Sequence, residues 1–125
     1  MVTSYRDLLV WQKGIELVTA CYRVAESFPK TELFGLCSQL KRAIVSVPAN
    51  IAEGHGRRST KEFLHHLSIA YGSLMEVETH LQIALQLGFI DGQTLNSHLE
   101  RSQEVGRMLN GLMRSLRRKM EKGRT

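Results

Sequence analysis

The amino-acid sequence predicts an all-α fold, an antiparallel up-and-down four-helix bundle, as a single domain over residues 1–125 with a basic C-terminal tail from about residue 117. Three observations predict it. Four long segments place apolar residues at alternating steps of three and four, the spacing of one helix face. The three short breaks between them are rich in Pro, Gly or capping residues, and connections that short make sequential helices antiparallel neighbours. At 125 residues and 42% hydrophobic content, the chain has enough apolar material for one core without staples.

The first helix is expected from about Tyr5 to Ser27, opened by Ser4 with Asp7 three residues on, a start resembling a capping box. Its seam is Val10, Gly14, Leu17, Cys21, Val24 and Phe28, and a second row adds Trp11, Ile15, Val18, Tyr22 and Ala25. Two adjacent rows suit a bundle helix with more than one neighbour. Phe28-Pro29-Lys30-Thr31 ends it, because a residue before Pro is pushed out of the α region, and Thr31 is the expected cap of the next helix.

Helix two carries Leu33, Leu36, Leu40, Ile44, Val47 and Ile51 on one face. Pro48 inside it removes a backbone donor and crowds the carbonyl of Ile44, so a kink or two helical pieces are expected there. Arg42 is the only charge between Lys41 and Glu53, and Ser38, Val45, Ala49 and Ala52 fill the opposite face. A helix so poor in charge is normally covered on every side, which implies a subunit interface and a homo-oligomer.

Gly54-His55-Gly56-Arg57-Arg58 breaks the pattern, and Ser59 with Glu62 forms a capping box that opens helix three. Leu64, Leu67, Tyr71, Leu74, Leu81 and Leu85 make its apolar row, and Gly88 ends it. Helix four starts near Asp91 and runs through Leu95, Leu99, Val105, Leu109, Leu112, Met113 and Leu116 toward the basic end.

No stretch approaches the roughly 18 apolar residues of a membrane span, and the start lacks a signal-peptide pattern, so a cytoplasmic protein without membrane contact is expected. Cys21 and Cys37 fall at apolar-periodic positions without zinc spacing and read as buried free thiols. Glu62-Phe63-Leu64-His65 is a single ExxH, an element that di-iron bundles need twice, and adjacent His65 and His66 diverge by about 100° on a helix. No metal and no cofactor are expected. No nucleophile elbow, phosphate loop or dinucleotide glycine pattern occurs, so the chain is read as a non-enzyme.

One polar stripe stands out. Gln39, Arg42, Ser46, Asn50 and Glu53 recur at steps of three and four within an arc of about 80°, roughly 120° from the Leu/Ile row. Ser68, Gly72 and Glu76 on helix three form a narrow row that could receive it, so a buried Arg42 paired with Glu53 or Glu76 is expected in a network fixing register or subunit contacts.

The net charge is +5, and Arg114, Arg117, Arg118, Lys119, Lys122 and Arg124 crowd the C-terminal end. Cations there complement the helix dipole; they also suit a polyanion. Arg57, Arg58 and Lys61 open helix three, whose N-terminal dipole favours phosphate. In an antiparallel bundle these share one rim with Arg114, Arg117, Arg118 and Lys119, a candidate surface for structured RNA. The competing reading is a protein-interaction scaffold, for instance for a protein encoded nearby, with the charge serving only to keep the chain dissolved.

The runs Ser38-Gln39-Leu40-Lys41-Arg42-Ala43 and Val45-Ser46-Val47-Pro48-Ala49-Asn50-Ile51-Ala52-Glu53-Gly54, then Phe63-Leu64 and Leu67 through Glu76, resemble the four-helix bundle proteins encoded in intervening sequences of bacterial 23S rRNA genes. Leu9-Val10-Trp11-Gln12 and the Phe28-Pro29 turn fit as well, and the likeness weakens after about Asn96. The resemblance implies a ring-like homopentamer without known enzymatic activity. It also implies distant kinship to the accessory protein of diversity-generating retroelements, a basic pentamer that contacts nucleic acid and a reverse transcriptase. It brings no binding residues with it, so the basic positions rest on the charge pattern.

Overall fold

The computed structural model describes residues 4–123, and Arg124 of the expected basic cluster lies outside them. Four helices make up the fold: α1 (Leu9–Ala25), α2 (Leu36–His55), α3 (Thr60–Gln86) and α4 (Gly92–Lys122). Short 3-10 turns at Tyr5–Asp7 and Lys30–Glu32 precede α1 and α2.

The expected start of helix one is replaced by one of these turns. The Ser4 hydroxyl accepts from the Arg6 N–H two residues on, and Leu8 is extended (ψ 121°), so the α-helix begins only at Leu9. Such local side-chain bonding competes with helix formation. Thr31, the expected cap of helix two, lies inside the second turn. The Glu32 carboxylate accepts from the Leu36 N–H instead, at 3.1 Å, and leaves Leu33 outside the helix and 53% exposed. The caps of α3 and α4 form from Ser59 on Glu62 N–H and from Asp91 on Thr94 N–H. Gly88 (φ 78°) closes α3, with Phe89 N–H on Ala84 O and Gly88 N–H on Leu85 O, the paired bonds of a left-handed C-terminal cap.

α2 passes through Pro48 as one α-helix, not two pieces. The basic residues Arg117 to Lys122 belong to α4, so the expected tail is the end of a helix.

Contacts between helices fix their directions. Ser46 and Asn50 of α2 meet Ser73 and His66 of α3, and Glu78 and Leu74 of α3 meet Ser102 and Gly106 of α4. Gly14 of α1 faces Pro48 of α2 while Tyr22 carries Lys41 over its ring, and Lys13 and Ala20 of α1 reach Glu104 and His98 of α4. In every pair the numbers rise on one helix as they fall on the other. Each helix touches its sequence neighbours, and α4 closes onto α1.

The core follows the rows read from the sequence. Val10, Gly14, Leu17, Cys21, Val24 and Phe28 are all buried, as are Leu40, Ile44, Val47, Ile51, Leu67, Leu74, Leu81, Val105 and Leu109. The second row of α1 is divided: Ala25 is buried, Trp11 and Val18 pack half-buried against the core, and Ile15 and Tyr22 are each 40% exposed. Both cysteines are buried and free, and burial pushes the Cys21 thiol up to about 12 against the opposing pull of Arg101.

α2 and α3 make the most extensive contact, and at Gly54 the helices approach too closely for a side chain. A Cβ there would come within 2.7 Å of His66 Cβ and 3.0 Å of Phe63 Cδ1. Gly54→Ala should therefore push the helices apart and cost about 1–3 kcal/mol, the range for overpacking, measured by urea denaturation.

Further along α3, both ring nitrogens of His80 are shielded from solvent and lack a hydrogen-bond partner among the described residues. Burial lowers its pKa from the ordinary 6.5, opposed by the charge of Glu76. A histidine with a depressed folded pKa contributes stability above its unfolded value that is lost as pH falls. His80→Leu should then lose less stability than the wild type between pH 7.5 and about 5 in denaturation curves, and an equal loss in both proteins would remove His80 as the source.

Candidate nucleic-acid interface

The candidate cations are positioned by two helix ends. α2 stops at His55, and the break between it and Ser59 carries Arg57 and Arg58 into solvent before α3 begins. On the other side, Glu78 pairs with Ser102 and Gly106 lies against Leu74 and Tyr71, which sets the register of α3 against α4. Extending that register at about 1.5 Å per residue on both helices brings Arg117 and Arg118 level with Lys61 and Glu62, and Arg114 level with His66. The two groups, distant in sequence, occupy one end.

Arg57, Arg58, Lys61, Arg114, Arg117, Arg118 and Lys119 are all exposed. Among the described residues only Arg57 of these forms an ion pair, with Glu53 at 2.8 Å. Sequence reasoning missed Arg6, which the turn packed against α2 brings to the same end. Its signal was available, since the start of a first helix lies at the end of the second. Glu53, Glu62, Asp7 and Glu121 reduce the positive excess without cancelling it.

An open depression of about 570 Å³ lies here, lined by Arg57, Ser59, Lys61, Glu62, His65 and His66. Two cations, two histidines and one carboxylate, Glu62, are among its lining residues. Among the described residues no group of three His, Cys, Asp or Glu side chains could hold a metal ion. No helix among them is long and apolar enough to cross a membrane.

The polar stripe of α2 divides in two. Ser46 and Asn50 enter the seam with α3: Ser73 donates to Ser46 Oγ at 2.9 Å, and Asn50 Nδ2 donates to Ser46 O and Oγ at 2.9 Å each. His66 Nδ1 lies 3.1 Å from Asn50 Oδ1 and 3.8 Å from Glu53 Oε2. Gln39, Arg42 and Glu76 stay outside the seam, exposed, and the expected pairing of Arg42 with Glu53 or Glu76 does not form in this chain. Two physical causes account for it. Burying the guanidinium would cost its hydration, and Glu53 is served by Arg57 four residues on, the favoured helical spacing.

His66 and Ser73 were the missed members of the network. Pairing α2 with α3 about the short break near Arg58 would have set Asn50 opposite His66, but a single-helix stripe carries no such register.

A profile of the 23S rRNA-intervening sequence proteins matches residues 6–111, most of the chain. The chain belongs to that family. A crystal structure of a protein of unknown function from the S23 ribosomal protein family of Bacteroides thetaiotaomicron is 23% identical, with a TM-score of 0.78 over 84% of this chain and 98% of the other. That likeness shows a shared fold. No curated protein matches the chain. In this 23S rRNA-intervening sequence protein, Arg57, Arg58 and Lys61 lie inside the matched segment, while Arg114 to Lys119 lie beyond it. The two halves of the basic end thus differ in how closely they are tied to the family pattern.

The two kinds of stripe residue should separate by mutation. Arg42→Ala should change the unfolding free energy by less than about 0.5 kcal/mol. Asn50→Ala, which strips partners from Ser46 and His66 in the seam, should cost about 1–3 kcal/mol by urea denaturation.

Proposed function

We propose that this protein is a non-enzymatic homo-oligomer of the ring type implied by the family resemblance, and that its basic end binds structured RNA without strong sequence preference. The observation that carries the reading is the gathering at one end, by the register of α3 and α4, of exposed cations of which only Arg57 is ion-paired among the described residues. Phosphate recognition needs such groups and little else. Base reading is not part of the proposal, because Trp11 and Phe63 pack against the core and Tyr5, in the turn that carries Arg6, is already engaged edge-on by Trp11 and by the Arg6 guanidinium over its ring.

Assembly is supported by apolar surface that one chain leaves open. Val45 (43%) and Ile69 (40%) on α2 and α3, with Ile15 and Tyr22 on α1, remain exposed although they sit at helical spacing beside the core. Covering them with further copies would repeat the basic end around an axis and multiply its positive potential. A scaffold without nucleic-acid contact is the second reading, favoured by Phe34 (93% exposed), Leu33 and Leu87 at the opposite end.

The test is a titration against a structured ribosomal RNA fragment at several salt concentrations, with sedimentation of each protein alone. The wild type should sediment as an oligomer, and its affinity should fall steeply with salt. A variant with Ala at Arg57, Arg58, Arg114, Arg117 and Arg118 should keep its assembly and lose at least about tenfold in affinity. Equal binding by both proteins, or none by the wild type at low salt, favours the scaffold; a monomeric wild type removes the ring.

A further inference from the structure

The outer face of α3 carries a row that the bundle core does not use. His65, Ile69, Gly72, Glu76, Thr79 and Ile83 recur at steps of four and three, within an arc of about 80°, and all are exposed. Ile69 and Ile83 stand in solvent although isoleucine is ordinarily an interior residue. Gly72 lies between them in the middle of a helix, where glycine is a poor choice, and a Cβ there would meet nothing within 4 Å. No contact among the described residues requires that glycine, whereas a neighbouring backbone brought close to α3 would. The charge of Glu76 is felt by His80 on the same helix, but Glu76 forms no ion pair among the described residues.

A surface of matching character lies between α1 and α2. Gly14 against Pro48, and the Tyr22 ring under Lys41, fix how these two helices meet. On the outer side of that contact Ile15, Tyr22, Val45 and Ala49 are exposed and Trp11 and Ala52 half-buried, an apolar trough between the helices. Lys41 is its one charge, half-buried and without an ion pair among the described residues. Arg42, one residue on, is turned about 100° round the helix, past Ala49 and out of the trough. Beyond Lys41 the trough runs into a cavity of about 230 Å³ walled by Ala25, Phe28 and Cys37, with Glu26 and Lys30 also lining it.

We infer that the α3 row seats in the α1–α2 trough of a second copy of this chain, with Glu76 paired to Lys41 across the contact. The inference rests on the homo-oligomer reading and says which surfaces join. Charge and spacing carry it. One carboxylate in an apolar row faces one ammonium in an apolar trough, and each lacks an ion pair of its own. Ile69 and Ile83 lie seven residues to either side of Glu76, about 10.5 Å along the axis. Ile15 lies the same seven residues from Tyr22, the residue under Lys41. One isoleucine therefore falls beside Ile15 and Val45 while the other reaches the cavity beyond Lys41.

The contact joins two different faces, so it repeats head to tail and ends only in a ring or a filament. The four helices touch in cyclic order, with no α1–α3 or α2–α4 contact among the described residues, which puts α3 at the corner diagonal to α1. The row and the trough thus point neither together nor in opposite directions, and successive copies turn as they add.

The experiment is sedimentation of the full chain over a range of concentrations, with circular dichroism melting to verify the fold. The wild type should sediment as an oligomer. Gly72→Leu should melt no lower than the wild type, since leucine is the better helix former and has open space in the single chain, yet assemble at least about tenfold more weakly. Glu76→Lys should weaken assembly by at least about tenfold through like charges, and adding Lys41→Glu should restore it. Glu100→Lys, the same charge change on the outer face of α4, should assemble as the wild type does. Gly72 and Glu76 are exposed, so their variants decide the matter even if Lys41→Glu disturbs α2. A folded double variant that stays dissociated, or a Gly72→Leu or Glu76→Lys protein that assembles normally, overturns this contact and leaves the oligomer reading standing. A monomeric wild type overturns both.

Discussion

The close approach of α2 to α3 at Gly54 is the constraint on which the rest depends. A hydrogen in place of a side chain lets His66 and Phe63 settle against the α2 backbone, and only at that distance can Asn50 reach His66 and Ser46 reach Ser73. The seam thus buries polar groups with their partners supplied, which avoids the cost of orphaned donors and acceptors. It also sets where the chain turns: α2 ends directly beyond the contact, and the few residues to Ser59 are left in solvent with their two arginines.

Much of this architecture was legible in the sequence because periodicity reports burial. The seam of α1 from Val10 to Phe28, the row of α2 from Leu40 to Ile51, the cap at Ser59 and the start of α4 beside Asp91 all stand where the sequence pattern put them. Failures occurred where two local bonds compete. Ser4 could cap a helix or close a tight turn, and it closes the turn; Thr31 had the right chemistry for a cap, but the longer Glu32 side chain reaches the orphan N–H. Arg42 failed for another reason. A stripe on one helix says which residues share an azimuth, not whether a neighbour covers that azimuth, and the seam covers Ser46 and Asn50 while leaving Arg42 in water. The candidate cations could be named from charge alone because exposure is their default state, whereas His66 became visible only once the register of two helices was known.

The basic end gains its character from how little neutralises it. Surface cations contribute weakly to stability and are screened within about 10 Å at ordinary salt, so clustering them has little structural benefit and some cost in mutual repulsion. The helix dipole accounts for cations at the end of α4 and for Arg57 and Arg58 directly beyond the end of α2, but not for Lys61, which lies in the first turn of α3 where the dipole favours anions. Cations at a helix N-terminus oppose the local field, and a bound phosphate would relieve both that and the repulsion. This weighs against a purely structural explanation for Lys61 more than for the other cations of the basic end.

Bundle topology then sorts unlike chemistries to opposite ends. Because α2 and α3 run in opposite senses, the start of α2 and the end of α3 share the end away from the arginines, and there Leu33, Phe34 and Leu87 stand exposed. Phe34 is almost wholly in solvent, an unfavourable place for an aromatic ring unless something is to cover it. The nucleic-acid and protein-binding readings therefore draw on surfaces separated by the length of the helices, and occupation of one leaves the other open. On the proposed readings a polyanion would be held at one end and an apolar partner at the other, with the α2–α3 seam between them.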